Sequence, residues 1–362
     1  MRTRSGFVSG PRGALIPAAL SGLLALAGCA GGGGGPGVPD NTPVVPFAYP
    51  PSLAAATSTD NVDGIISPYA LNNSNPATPS LVSVLPSVFG TTPSAGIITI
   101  TVGDIALPSP PGAIEPGFVV TFDSTSGGPL PISISSPLDS VGCVGCLVTA
   151  TTSATYSVGG LPAGMVTFTF VNPASASFTL NYSTLGMWSK PITSSPDWQQ
   201  IGGAFSAGVV TRGIDLPTTG TADYTGYFIG RYATSDATLV YPTGTYIVGA
   251  NANASADFGT NFVTFFTSNT HIAPESGGPA VVSAPGLNLT SAPMSVTRTS
   301  TSNSFAGTVG TGGNVLSGPI QGAFYGAPAP TAPFAPPEAG GSLAVTNNLN
   351  QSMVGSFALK KQ

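Results

Sequence analysis

Charge is scarce in this chain. Of 362 residues, 6% are Asp, Glu, Lys or Arg, against about 25% in ordinary soluble domains. Exposed helices lean on Lys and Glu, and no segment carries a convincing amphipathic period of 3.6 residues, so a helical fold is excluded. Basic residues are the scarcer sign: nine in all, three of them (Arg2, Arg4 and Arg12) ahead of Cys29. The six that follow, against all 14 acidic residues, leave the chain after Cys29 at −8. That balance removes the electrostatic footprint of a nucleic-acid binder and any pull toward anionic headgroups. The apolar run Ala14–Ala27 is too short for a membrane helix, which needs about 20 residues. Histidine occurs once, as His271, and cysteine three times, which leaves little material for acid–base or metal chemistry.

What is present is glycine (48), proline (36) and a hydrophobic content of 41%, too apolar for a wholly disordered chain. The length allows one or two domains with real cores. From about Leu81 the pattern is one of short β-branched runs divided by Gly, Pro, Asn and Ser clusters. Gly96–Val102, Phe118–Phe122, Ile132–Ile134, Leu147–Thr151, Met165–Val171 and Ser177–Tyr182 are the expected strands of the first half. Such spacing is an all-β signature.

The N-terminus resembles a bacterial lipoprotein signal peptide. Three arginines precede an apolar stretch of the length an h-region has, roughly 7–15 residues. Leu26-Ala27-Gly28-Cys29 then closes it. That resemblance implies removal of residues 1–28 and acylation of Cys29. The chain is then an exported, lipid-anchored protein, by analogy at the outer membrane and facing the cell surface, with the membrane as its partner through that lipid. Stable anchoring takes more than one acyl chain. Residues 29–80, opening on Gly31–Gly35, read as a flexible Gly/Pro-rich tether, with residues 60–75 able to order against the body. In an exported chain the remaining cysteines, Cys143 and Cys146, are expected to form a disulfide. The competing readings of Cys143-Val144-Gly145-Cys146 are haem attachment, which needs a His where this chain has Leu147, a redox site, which needs a helix start where the surroundings read as a turn between strands, and zinc, which lacks a second ligand pair.

The second half carries a specific device. In Thr221–Tyr232 one face presents Ala222, Tyr224, Gly226, Phe228, Gly230 and Tyr232, and the other Thr221, Asp223, Thr225, Tyr227, Ile229 and Arg231. Aromatic and glycine residues thus alternate on one face, and the alternation recurs at Phe305-x-Gly307, Gly322-x-Phe324-x-Gly326 and Gly355-x-Phe357. Side chains alternate across a strand with period two. A small closed barrel must fill its interior, and large residues fit where facing ones are small. The competing arrangement is a sandwich with glycine at bulges. The outward face, with Asp223 and Arg231, is too polar for a lipid-facing wall.

Taken in order, the residues of this half resemble the β-barrel domain of bacterial transferrin-binding protein B. The run Leu216–Gly226 is similar to that domain's opening. Ala256–Gly259, Phe305–Thr308, Gly322–Gly326, Gly340–Ser342 and Val354–Lys360 follow in the expected sequence. Upstream, Tyr182–Trp188 resembles the strand that enters the barrel. The resemblance spans roughly residues 178–361 and implies an all-β protein. A C-terminal eight-stranded antiparallel β-barrel (178–362) would be preceded by a β-rich "handle" domain (81–177). It also implies a surface lipoprotein that captures a host or environmental protein, or an iron- or haem-related ligand, at barrel loops. Full transferrin receptors of this kind have two lobes and this chain has room for one.

Catalytic constellations are nearly absent, and the expected class is a binding protein with no cofactor, no metal and no enzymatic activity. His271, in Ser268–Pro274, is a solvated loop residue or, on the sharper reading, a ligand contact for haem or metal. Asp60-x-x-Asp63 reads as a turn and lacks the fuller oxygen spacing of a calcium loop. Contacts are expected from loops near 190–200, 232–243, 268–300 and 327–338, because loops carry recognition on a rigid frame. The rival functions are a structural envelope lipoprotein with no small-molecule ligand and a lumenal carrier of an apolar molecule.

Overall fold

The computed structural model describes residues 47–53, 62–72, 80–83, 87–94, 97–102, 118–123, 132–133, 147–154, 164–171, 179–191, 200–235, 244–275, 281–312, 315–329, 334–347 and 351–362. The signal segment with Cys29, and the pair Cys143 and Cys146, lie outside the described residues. No α-helix occurs among the described residues, while Gly213–Asp215 and Pro285–Leu287 form single 3-10 turns. The chain is all-β, as its composition requires.

The first half builds an open antiparallel sheet from β1 (Val62–Asn72), β2 (Ser80–Ser83), β3 (Ser87–Ser94), β4 (Ile97–Val102), β5 (Phe118–Asp123), β6 (Ile132–Ser133), β7 (Leu147–Ala154), β8 (Gly164–Val171), β9 (Ser183–Pro191) and β10 (Gln200–Val209). Its order is β5-β4-β3-β1-β10-β9-β8-β7-β6, with β2 also on β1. Within the 29–80 tether, the stretch 60–75 that could order against the body holds β1, the strand on which the sheet is centred: it pairs with β2, β3 and β10. Val62, Ile65, Ile66, Tyr69 and Leu71 are all buried. A strand covered on both faces shows no alternation, so the period-two signal was missing. Asp63, read as part of a turn, is likewise a residue of β1.

One correction concerns the strand at Tyr182–Trp188; of the expected strand Ser177–Tyr182, residues 177 and 178 lie outside the described residues. β9 begins at Ser183 and pairs with β8 and β10 in the open sheet, so it does not enter the barrel. Residues 179–182 form no strand: the Glu338 carboxylate accepts the N–H groups of Asn181 (2.6 Å) and Tyr182 (3.0 Å) and the Ser183 hydroxyl (2.7 Å). The closed cylinder starts at Thr221, and the hydrogen bonding places β9 and β10, both beyond 178, in the open sheet.

The cylinder comprises β11 (Thr221–Thr234), β12 (Gly244–Asp257), β13 (Phe262–Pro274), the short β14 (Val282–Ser283), β15 (Leu289–Ser291), β16 (Met294–Arg298), β17 (Asn303–Thr311), β18 (Ser317–Tyr325), β19 (Glu338–Thr346) and β20 (Ser352–Lys361). β15 and β16, interrupted by Ala292 and Pro293, share one place in the wall between β13 and β17. Pairing of β20 with β11 closes an eight-stranded antiparallel barrel. Proline breaks the ladder at the shared place because it has no N–H to donate. Side chains bridge the gap: Phe265 N–H donates to Ser291 Oγ (2.9 Å) and Leu289 N–H to Thr267 Oγ1 (2.7 Å).

The interior is packed with rings. Tyr224, Phe228, Tyr232, Phe258, Phe265, Phe305, Phe324 and Phe357 are buried in one cluster. Phe324 stands 5.4 Å from both Phe258 and Phe305, centroid to centroid, and Phe265 stands 4.5 Å from Phe357. The rings lie over bare α-carbons as the alternation demands. A Cβ at Gly322 would sit 2.2 Å from the Phe305 ring, and one at Gly355 would sit 2.2 Å from the Phe228 ring. Opposite them β12 lays down Ala250, Ala252, Ala254 and Ala256, all inward. Each ring removes about 150–250 Å² from water, worth about 4–6 kcal/mol at ~25 cal/mol per Å² before conformational entropy is counted.

The outward face of the barrel is wet over only part of its girth. Ile229, Ala233, Ala344, Val354 and Ala358 form a second core with Tyr69, Leu71, Leu185, Met187 and Ala204 of the open sheet. Small residues line the contact: Ser67 donates to Ser342 (2.8 Å), and a Cβ at Gly340 would stand 2.3 Å from Ser206 Oγ. Hence β11 alternates exposed and buried residues up to Thr225 and is buried on both faces beyond Phe228. Arg231, expected to face water, is 5% exposed for this reason.

Candidate functional site

Arg231 ties the two sheets together at one end of the molecule. Its guanidinium donates to the Tyr69 hydroxyl on β1, to Gln200 Oε1 at the start of β10, and to Glu275 just past β13. The cation also lies over the Tyr69 ring, 4.9 Å from its centroid, an attractive arrangement with the ring's negative face. An arginine suits this position because its fixed planar fork satisfies several acceptors at once.

Chain reversals gather around that clamp. Pro191 pairs with Gln200 and Leu71 with Gln200, so β1, β9 and β10 all end here. On the barrel side Thr234 pairs with Gly244, Tyr246 with Pro274 and Ala233 with Ser352. Connections from both sheets therefore leave and return at one end, on a frame fixed by buried contacts. Of the connecting stretches at this end, 192–199, 236–243 and 276–280 lie outside the described residues; the expected contact loop 327–338 joins β18 to β19 at the opposite end, where Tyr325 pairs with Glu338 and the Tyr224 hydroxyl donates to the Pro336 carbonyl. The other contact loops are corrected by the ladder. Most of 268–300 is barrel wall, since β13 runs to Pro274 and β14, β15 and β16 occupy much of 282–298. The loop expected at 232–243 begins later than its residue types suggest, because Tyr232, Ala233 and Thr234 are buried residues of β11.

At the other end of β1 a cavity of about 120 Å³ opens between the sheet and the barrel, lined by Asp63, Ile65, Ser304, Ala323 and Tyr325 among others. Burial pushes the half-buried Asp63 carboxyl above its ordinary range. Burial also raises the Tyr325 phenol, with a smaller rise from the Asp63 charge. Ser206 Oγ approaches the Tyr325 hydroxyl without hydrogen-bond geometry, and both groups are buried without a partner. Asn303, also on this cavity, is committed to backbone: its amide donates to the carbonyls of Thr211 (2.7 Å) and Phe324 (3.0 Å), and Oδ1 accepts Phe324 N–H (2.8 Å).

His271 is a residue of β13, opposite Gly249 and Ser283, with Nδ1 2.7 Å from the Asn269 carbonyl. It is a wall residue and not a loop residue, and among the described residues no group of three or more His, Cys, Asp or Glu side chains is placed to hold a metal. Asp257 closes the β12–β13 turn: its Oδ1 accepts N–H from Gly259 (2.9 Å) and Thr260 (3.2 Å), which holds its carboxyl below the ordinary range, and Asn261 takes φ 58°. Sequence reasoning missed the clamp of Arg231 and Tyr69. Nothing local marks it, because Tyr69, Gln200 and Glu275 lie far from Arg231 in the chain.

No family model and no curated protein matches the chain. Among solved structures, transferrin-binding protein B from Haemophilus parasuis is similar at 14% identity, with 79% of this chain and 54% of that one covered and a TM-score of 0.37. Its counterpart from serogroup B Neisseria meningitidis is similar at 15% identity, over 82% of this chain and 43% of that one, with a TM-score of 0.38. A protein described as a surface lipoprotein is similar at 15% identity, over 51% of this chain and 77% of that one, with a TM-score of 0.31. The chain spans about half the length of the two transferrin-binding proteins. The eight-stranded barrel itself rests on the strand pairing of this chain.

Proposed function

We propose that this chain is a lipid-anchored surface protein that captures a protein ligand, free or bearing iron or haem, at the Arg231 end, and that it binds without catalysis. What carries the reading is the convergence of reversals from two sheets on one clamped frame. A rigid scaffold presenting several connections together is the arrangement recognition uses. A plugged barrel has no room for a lumenal cargo, since the interior is occupied by the Phe324 and Phe357 ring clusters. That favours capture on the outside. Acylation at Cys29 would hold the body at the outer membrane, and the cell surface is the side where a foreign protein is met. The names of the similar structures fit such a role, and transferrin itself belongs among the ligands to be tried.

The test is saturable binding of the purified protein to immobilised transferrin, haem proteins and haem, alongside a variant with 192–199 and 236–243 replaced by Gly-Ser. Binding to one of these that drops at least tenfold in the variant supports capture. No saturable binding to any, or equal binding by the variant, overturns it and leaves the inert structural lipoprotein as the reading. The outward barrel wall, with Thr225, Ser255 and Thr264 exposed and uncharged, suits that second role.

A further inference from the structure

We propose that the end of the body opposite Arg231 is a seat for a lipid surface, and that it turns the Arg231 end away from the membrane. The proposal rests on the lipid-anchor reading above. The chain joins the body at this end and is latched there before β1 begins. The Tyr49 hydroxyl donates to Asp215 Oδ2 (2.6 Å) and accepts the Arg212 N–H (2.9 Å), while Arg212 grips the same carboxylate at 2.6 and 2.8 Å. Burial and the Asp215 contact push the Tyr49 phenol up to about 12, so its proton stays in place to donate. The buried Leu53 adds a bond from its N–H to the Asn181 carbonyl (2.7 Å). Val62, Ser183, Val209 and Thr221 stand at this end of their strands; Leu71, Pro191, Gln200 and Thr234 stand at the other. Nineteen residues separate Cys29 from Tyr49. A Gly/Pro-rich coil of that length has an r.m.s. span of about 25 Å, whereas the 14 residues of β11 run ~45 Å at ~3.3 Å each. A leash so short keeps the latched end toward the lipid.

The surface at this end suits that neighbour. Ile214, 64% exposed, lies between Arg212 and Asp215 of the latch, and Phe334, 51% exposed, lies on the connection from β18 to β19. Both sit beside well-held backbone: the Pro336 carbonyl accepts the Tyr224 hydroxyl (3.0 Å) and the Pro337 carbonyl accepts the Lys361 N–H (2.8 Å). Apolar side chains on a polar frame enter the boundary between headgroups and acyl chains. Lys360 and Lys361 end β20 at the same place, and a lysine stem lies along apolar surface while its ammonium reaches a phosphate. Net charge supplies no pull. Arg212 and Arg298 are spent on Asp215 and on Asn261 with two backbone carbonyls, and Asp223 and Asp257 share this end. Contact through Ile214 and Phe334 therefore carries the seat.

Energy transfer in phosphatidylcholine vesicles tests it, using the acylated full chain and rhodamine on a fraction of the headgroups. Single donor dyes are placed by Ser300→Cys, on the turn between β16 and β17 at this end, and by Thr346→Cys, at the Arg231 end, in a Cys143→Ser/Cys146→Ser background. Transfer at least twofold greater from position 300 is expected. Ile214→Ser/Phe334→Ser and Tyr49→Phe are each expected to shrink that difference by half or more, and Val315→Ser, exposed at the Arg231 end, to leave it unchanged. Equal transfer from the two positions overturns the proposal. So does a difference that persists in both variants, each folded by its circular dichroism melt, and so does a dimer in detergent that Ile214→Ser/Phe334→Ser dissociates, which gives the surface to a second copy. A chain that carries no acyl group and does not float with the vesicles overturns the anchor reading itself, and this proposal with it.

Discussion

Glu338 and Arg231 are buried charges of opposite sign, placed where the open sheet meets the barrel. Glu338 is 1% exposed, and burial raises its carboxyl above the ordinary value of 4.5 even though three donors pull the other way. A folded chain that favours the protonated acid is most stable below that ordinary value. It loses stability as pH climbs through the raised one. Glu338→Gln is therefore expected to flatten the fall in urea midpoint as pH rises above 4.5, while lowering the midpoint overall because its amide NH₂ would face either the Asn181 N–H or the Tyr182 N–H. A slope as steep as the parent's would show that the proton goes elsewhere. For Arg231 the loss is of a cation whose partners stay buried. Arg231→Ala is expected to cost about 3 kcal/mol in urea unfolding. Glu275 is the more exposed partner, with 20% of its side chain accessible, so Glu275→Gln is expected to cost about 1 kcal/mol or less.

Within the elements, the alternation of rings and glycines along β11, β18 and β20 can be tested by adding one carbon. Gly322→Ala puts that carbon 2.2 Å from the Phe305 ring, and overpacking of this kind costs about 1–3 kcal/mol. Gly286 and Gly312 have nothing within 4 Å of the corresponding point, so alanine there is expected to leave the melting temperature within a degree or so. Equal melting temperatures for all three variants would show that the rings yield freely. Phe324→Ala opens the centre of the same cluster and is expected to cost about 3–5 kcal/mol. The barrel was legible in the sequence because Tyr224, Phe228 and Tyr232 keep strict period two on one strand. The Ala250–Ala256 stripe keeps it too, and its Asn and Ser partners mark the outer face. β1 was illegible by that criterion: Ile65 and Ile66 are adjacent and both buried, one toward the barrel and the other toward Trp188 and Gly203.

For the molecule as a whole, the proposed acyl anchor at Cys29 would fix where the body works. Replacing Cys29 with Ser is expected to abolish metabolic palmitate labelling and to move the protein from the membrane pellet to the soluble fraction. Persistent labelling would place the lipid on another residue. The packing of the barrel's small-residue flank against the open sheet also makes the two halves interdependent, through Ser67–Ser342, Ser356 Oγ donating to Gly186 O at 3.0 Å, and the Ile229–Leu185 core. Arg231→Ala is thus expected to broaden the thermal transition monitored by Trp188, by loosening one sheet from the other; an unchanged width would show that the remaining core holds them together.

Composition and short-range period determined that this chain is all-β and that its second half rolls into a filled barrel. A shortage of charge rules out exposed helices, and rings alternating with bare α-carbons pack only when the sheet closes on itself. Tertiary structure alone decided which strands belong to which sheet, that β1 threads the middle of the open one, and that Arg231 is covered while Asp223 is wet. Those outcomes depend on partners far apart in the chain, 275 residues in the Ser67–Ser342 contact, and burial against a second sheet leaves no periodic trace in the strand that is buried.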